Sequence, residues 1–510
     1  SLQMRELVFP RLTSTFAHTQ EYVFKHHNLQ EVTYAQVLKR QRRIYHEQTA
    51  AWLITQNSSR ADEYAALIAS HFEQAENFTR AAEWYHRAGQ RAAAQFANQD
   101  ALRLLSRALE LFPPTALQAR YNNLVTRVHL YEFLGQRAEE SADLEALGQL
   151  AEQLDQDELR AEVCLLCAQY VQVMGNYQEA EQLTQRSLRL TQSNPLSRIR
   201  VDAHLLLGLI AMRCENHPKA QQEYQYALDL AQRLRLPNQE ARSLRGIGNT
   251  LWKTNELTEA EQYQERALII FRELGDQRGE AMCTMSMGVV LNGQQKREPA
   301  RQYMMRAVHL SQQIGDPMTE MLSLNNLGII ETEIGNHTQG AENFARSLAL
   351  ARRIEHSYGI IVALGNLSST QHQMGLYSAA LASAEEWLQY CQDMNDLRGV
   401  AWACNGSANL LLQLGRFDQA AALLRQAQSF FTQHNDTNGL VEINYTEMKL
   451  AWYAENLPQE RQKAQELISN VYPSSNAEIL PNTHWMIGNL HCCEGRSEER
   501  RVGKECRSRW

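Results

Sequence analysis

Asn325, Asn326, Asn366, Asn405 and Asn409 are the most chemically suggestive set in this chain, because their spacing repeats. Asn326 and Asn366 stand 40 residues apart, and Asn325 and Asn405 stand 80 apart. An asparagine side chain donates and accepts at once, so a row of them can hold the backbone of an extended peptide. Upstream, Arg242, Arg245, Asn249 and Lys253 add cationic groups able to fix a carboxylate. Glu333, His372 and Gln373 fall deeper in the same pattern, and Trp252 and Trp402 offer apolar contact. These are groups for holding a partner, not for breaking bonds. There is no G-x-x-x-x-G-K-S/T phosphate loop, no G-x-S-x-G elbow and no H-E-x-x-H metal motif. Gly246-Ile247-Gly248 sits inside a helical pattern, where one of its glycines is a packing position. Glu179, Glu181, Glu259 and Glu261 alternate as solvated faces do. Cys164 and Cys167 form a C-x-x-C without a second pair and read as small core residues. The expectation is a non-enzymatic chain with no metal and no cofactor.

What positions these groups is a 40-residue period that runs without a slip through Gly175, Glu215, Asn255, Gln295, Gly335, Gly375 and Gly415. Seven residues before each mark stand Ala168, Gly208, Gly248, Gly288, Gly328, Ser368 and Ala408. Five after stand Ala180, Ala220, Ala260, Ala300, Gly340, Ala380 and Ala420. Twelve after stand Ser187, Ala227, Ala267, Ala307, Ser347, Trp387 and Ala427. A fixed period of this length is the mark of a solenoid. Helices approach to about 8–10 Å only where the contact residues are small, so each period reads as two helices crossing at these slots. Gly275, Gly315, Asn395 and Asn435 suit left-handed helix ends. Asp276, Asp316, Asp396 and Asp436 follow as N-caps, with Pro317 at a first helical position. The asparagines and the upstream cationic groups lie on the first helix of each pair.

The slots, as in Leu327-Gly328…Gly335-Asn336…Gly340…Ser347-Leu348, resemble the tetratricopeptide repeat in a 40-residue form. That resemblance implies an all-α, right-handed superhelical solenoid of antiparallel helix pairs. Its first helices would line a concave groove, and a protein or peptide partner would lie there.

Apolar content of 44% and charged content of 21% describe an ordinary soluble protein. No run of about 18 apolar residues exists to span a membrane, no secretory signal opens the chain, and the nine cysteines lack disulfide spacing. A reducing cytoplasm is expected. The net charge of −8 argues against nucleic-acid binding. The run Lys39-Arg40-Gln41-Arg42-Arg43 reads as a solvated helix face.

The first residues lie off the period. Phe24-Lys25-His26, then Gln30-Glu31 with Tyr34, then Arg42, Arg43 and His46, resemble the end of the winged-helix segment that follows the ATPase core in bacterial signalling ATPases of the STAND type. The position after the histidine departs from that family, being His27-Asn28. Such ATPases occur fused to class III cyclases, kinases or transcription-factor domains, with tetratricopeptide repeats following. The resemblance implies a winged-helix remnant over 1–57, an ATPase upstream in cis, and a role for His26 in sensing the nucleotide state. Irregular leading helices are expected over 58–115, ending at Pro113-Pro114, and regular repeats over 116–495.

Residues 496–510 resemble a translated sequencing adapter and are expected to be non-native. Their six basic and three acidic residues carry +3, which leaves −11 for 1–495 against −8 for the whole chain. Ser1 in place of a methionine leads us to expect an internal fragment. Two functions follow: the sensor arm of a multidomain signal-transduction ATPase, or a stand-alone repeat adaptor without an attached ATPase.

Overall fold

A computed structural model describes residues 7–11, 20–56, 61–453 and 462. The adapter-like tail and the repeat expected near Gly488 lie outside the described residues. The chain divides into two compact units, Ser1–Gly246 and Ile247–Trp510.

The first unit opens with a hairpin of β1 (Val8–Pro10) and β2 (Tyr22–Phe24), antiparallel, with Val8 opposite Phe24. Helices follow: α1 (His27–Gln36), α2 (Lys39–Gln56), α3 (Ala65–Gln74), α4 (Phe78–Ala94), α5 (Asn98–Leu111), α6 (Leu117–Leu134), α7 (Arg137–Leu154), α8 (Asp157–Val173), α9 (Tyr177–Leu190), α10 (Arg198–Arg213) and α11 (His217–Arg233). The division between the units falls inside α12 (Pro237–Lys253). The second unit continues with α13 (Leu257–Leu274), α14 (Gln277–Gly293), α15 (Arg297–Ile314), α16 (Pro317–Glu333), α17 (His337–Arg353), α18 (Ser357–Gln373), α19 (Tyr377–Asp393), α20 (Leu397–Gln413), α21 (Phe417–Gln433) and α22 (Thr437–Tyr453). Apart from the hairpin, the described residues are all-α, and the repeats are solenoid pairs as the period requires.

The turns follow from backbone chemistry. Every mark of the period takes positive φ, from 58° at Glu215 to 90° at Gly335. Gly275 and Gly315 do the same between pairs, at 66° and 67°. At the first of these, Gly275 N donates to Arg272 O and Asp276 N to Phe271 O, which closes the last carbonyls of α13. The Asp276 carboxylate then accepts from Gly279 N at 2.9 Å and starts α14. Asp316, Asp396 and Asp436 cap α16, α20 and α22 in the same way.

The small slots set the crossings. A Cβ on Gly328 would stand 2.7 Å from the Phe344 ring, which is buried between α16 and α17. In the first unit the Tyr224 ring packs against both Gly208 and Gly246, and a Cβ on either would lie within 2.7 Å of it. In the second unit successive first helices, α14 through α22, touch one another directly, and the second helices show no comparable contact among the described residues. The first helices are therefore the inner layer of that unit, and their outward-facing polar residues form its inner face.

In the first unit, Tyr34 on α1, His46 on α2 and His71 on α3 join in one chain. Tyr34 Oη lies 2.8 Å from His46 Nε2, and His46 Nδ1 lies 2.8 Å from His71 Nδ1. Arg42 sits over the Tyr34 ring of α1, and Arg43 pairs with Glu76 in the turn after α3, so half of the basic run ties α2 to its neighbours.

Gly328→Leu should overpack the α16–α17 crossing and lower stability by about 1–3 kcal/mol. Urea unfolding of the variant checks this, and an unchanged midpoint would remove Gly328 from the contact.

Candidate partner-binding face

The inner face of the second unit carries a polar ladder. Asn366 Nδ2 on α18 donates to Asn325 Oδ1 on α16 at 3.0 Å. Further along, Asn409 Nδ2 donates to Thr446 Oγ1 on α22, and Thr446 Oγ1 donates to Asn405 Oδ1, both at 2.9 Å. Lys449 Nζ donates to Asn409 Oδ1 at 3.1 Å. Successive repeats are thus stitched together by amides, and each bond occupies only one end of an amide. Asn366 Oδ1, Asn325 Nδ2 and Asn405 Nδ2 take no partner among the described residues, and the Asn326 side chain makes no hydrogen bond among them. Asn405 is only 5% exposed.

Beside the ladder lies a cavity of about 520 Å³ between α18, α20 and α22. Asn366, Asn405 and Asn409 all line it, together with His372 and Trp402. Its floor is Trp387 from α19. Elsewhere this slot holds Ala or Ser. The indole N–H end is buried, and the six-membered ring lies against Gly365 and Gly406, where added Cβ atoms would meet it at 3.5 Å. Neither α18 nor α20 has a side chain at those points, so a ring from the outer layer shows through to the inner face. Trp402 forms a second wall, edge-on to Phe431 with ring centroids 5.2 Å apart.

The charged wall is α22. Lys449 Nζ lies 4.2 Å from the Tyr445 ring centroid. Burial holds its pKa below the ordinary lysine value, and Glu442 offsets part of that. His372 is also pushed below its ordinary value, first by burial and then by the charge of Lys449. Both residues line the cavity.

The other expected groups are placed differently. Arg242 pairs with Asp202 at 2.8 Å, and Asn249 Oδ1 accepts from Gln264 Nε2 at 2.9 Å. Lys253 rests over the Trp252 ring, and Arg245 is half-buried on α12. These four share α12, and none lines the cavity. Glu333 pairs with Arg297, and Gln373 is exposed. His26 is exposed at the start of α1 and makes no side-chain capping bond. Cys164 and Cys167 sit together on α8, and burial pushes the Cys167 thiol up to about 11, which suits packing and not reactivity.

Sequence reasoning missed Glu442, Tyr445 and Lys449. Continuing the ruler one step to Glu455 would have found them, because they occupy the slots of Arg242, Arg245 and Asn249. Trp387 was visible as the one large residue in a small slot.

The tetratricopeptide repeat family pattern matches residues 200–273, 239–313 and 319–393, so the chain carries tetratricopeptide repeats. No curated protein matches the sequence. Among solved structures, the apo form of the quorum sensor NprR from B. thuringiensis is similar in fold, at 14% identity and a TM-score of 0.52, over 70% of this chain and 99% of that one. A Rap protein complexed with competence and sporulation factor matches at 13% identity and 0.47, over 70% and 100%. A signal-transduction ATPase with a tetratricopeptide repeat sensor, from Pyrococcus horikoshii, matches at 14% and 0.43, over 78% of this chain and 54% of that one.

An ammonium largely withdrawn from water without a paired carboxylate weakens the fold. Lys449→Met keeps the length and apolar stem and removes the charge, so it should raise stability by about 1 kcal/mol at neutral pH. Urea unfolding at pH 7 measures it, and a drop of similar size would show that the Lys449–Asn409 bond outweighs the burial of the charge.

Proposed function

We propose that this chain is a non-catalytic interaction scaffold whose partner, a peptide or protein segment, lies along the inner face of the second unit. The repeats support the scaffold reading. The groove reading rests on one observation: a cross-repeat ladder of asparagines that retains unpartnered amide ends beside an aromatic cavity. An extended backbone needs an acceptor and a donor at each step, and this face presents both. Asn325, Asn326, Asn366, Asn405 and Asn409 are its binding residues in this reading. Asn249 and Lys253, on the part of α12 that belongs to the second unit, are further contacts on first-helix positions.

We further infer that the array is the sensor arm of a signal-transduction ATPase lying upstream in cis. The support is the order of elements at the N-terminus. The hairpin, α1 and α2 precede α3 in the chain, and Tyr34, His46 and His71 join α1, α2 and α3 by side-chain hydrogen bonds. In this reading 1–57 is the last part of a winged helix, 58–115 the leading helices, 116–495 the repeats and 496–510 a non-native tail. In the same reading His26, exposed where β2 meets α1, would be the residue that senses the nucleotide state. Partner binding would act by favouring one of two ATPase conformations. No helix among the described residues is long and apolar enough to cross a membrane, and a cytoplasmic setting fits such an arm.

Asn326→Ala combined with Asn366→Ala removes the Asn366–Asn325 bond, so it should lower the thermal midpoint by a few degrees, about 1 kcal/mol, without unfolding the chain, and cut partner retention about tenfold. Retention at full strength would move binding away from this face. Sequencing the gene upstream of Ser1 decides the second inference. A phosphate loop with an acidic Mg²⁺ motif is expected there, and a nearby start codon without one would leave a stand-alone adaptor.

A further inference from the structure

Lys449 lacks the partner its surroundings call for. It lies largely out of water on α22, and no carboxylate is within ion-pairing distance among the described residues. Its contacts are a neutral amide oxygen and the face of Tyr445. Glu442 lies two turns earlier on the same helix and acts on it only through space. Facing it from α18 is His372, close enough to feel its charge. A buried cation in this state gains from any anion that reaches it, because the attraction is stronger where water is excluded.

The rest of the cavity adds two demands. The bare six-membered ring of Trp387, seen between Gly365 and Gly406, favours a flat apolar group laid against it. Asn405 Nδ2 sits in a residue 5% exposed, lines the cavity and has no acceptor among the described residues. The volume of about 520 Å³ has room for one aromatic and one short acidic side chain together. The amides of Asn366 and Asn325 lead away from the cavity, as a polypeptide backbone would need and a free small molecule would not.

We propose that this cavity is a subsite for an acidic–aromatic pair within a partner peptide, its ring on Trp387 and its side-chain carboxylate on Lys449. The assignment rests on the inner-face reading above and narrows it. It places the anchor of the partner at α18, α20 and α22, and it makes an internal Asp or Glu next to Phe, Tyr or Trp the recognised feature.

The probes are N-acetylated, C-amidated alanine hexapeptides carrying one Asp and one Phe, adjacent or one residue apart, in either order. Amidation removes the terminal carboxylate. They are titrated into the full chain and followed by tryptophan fluorescence and calorimetry. At least one should bind, and its Asp→Asn counterpart about tenfold more weakly. That preference should vanish in Lys449→Met, whose fold is checked by circular dichroism and urea unfolding. Trp387→Leu should weaken both peptides alike. Equal binding of the Asp and Asn peptides to the unmodified chain, a preference that survives Lys449→Met, or no binding up to about 10 mM would each overturn the proposal. So would 3-phenylpropionate binding as tightly as the best peptide, which would make the cavity a small-acid pocket. If Asn326→Ala with Asn366→Ala impairs partner retention while the Lys449 and Trp387 variants do not, the inner face stands and this subsite falls.

Discussion

Everything in the repeat array depends on how closely two helices can approach at the crossing in each pair. That distance is set by a handful of positions without side chains, or with a methyl group only. Gly328 against Phe344 shows the tolerance, since a single added carbon would come to 2.7 Å from the ring. Because the same small slots recur every 40 residues, each pair crosses alike and the next pair stacks alike. The inner layer follows from this. In the second unit the first helices are close enough to touch one another, and the polar residues they carry are brought into hydrogen-bonding distance across repeats. Without the close crossings, Asn366 and Asn325, 41 residues apart in sequence, would not meet.

The proposed subsite lies where the rule is broken. Trp387 puts an indole where a methyl group is usual, and its six-membered ring faces Gly365 and Gly406. A comparable arrangement in the first unit shows the packing alternative. There Tyr224 lies between Gly208 and Gly246 and is 6% exposed, a filled core with no opening. The two cases use the same device, an aromatic ring opposite glycines. They differ in whether the added Cβ would clash at 2.5–2.9 Å, as at Tyr224, or meet the ring at 3.5 Å, as at Trp387. The second distance is ordinary contact, so the glycines at Trp387 are not forced by crowding. Their effect is to leave the ring uncovered.

The legible parts of this molecule were the local ones. Helix ends were readable because a positive-φ residue followed by Asp acts within four residues, as at Gly275-Asp276. The crossings were readable because residues small enough for close helix approach recur at one fixed period. The inner-face asparagines were readable as a set, but not their fates. Asn405 and Asn409 are partly committed to Thr446, 41 and 37 residues away. That commitment depends on how α20 and α22 pack. Lys449 was hidden by stopping the ruler at Gly415, and its lack of an ion pair is a statement about every neighbouring element. The histidines fared similarly. His46 and His71 each stood in a helical pattern, and only the docking of α2 on α3 brings their Nδ1 atoms to 2.8 Å.

That histidine contact constrains what the N-terminal segment can be. The Tyr34 hydroxyl and His46 Nε2 share one hydrogen bond, and of the facing Nδ1 atoms of His46 and His71 one carries the proton and the other accepts it. The Nδ1–Nδ1 contact is lost if both imidazoles are protonated, because one of the two facing nitrogens must be an acceptor. Burial lowers both pKa values, with Arg42 adding to the effect at His46 and His46 adding to it at His71. A depressed histidine pKa means the folded state resists protonation. The stability it represents is fully present above the unfolded value of 6.5 and declines as pH falls through the lower folded values. At neutral pH α1 and α2 are thus held on α3 by a chain of side-chain hydrogen bonds in addition to apolar packing. A segment tied this way moves with the leading helices. In the sensor-arm reading, whatever domain adjoins α1 would be coupled to α3 through a contact with one defined geometry.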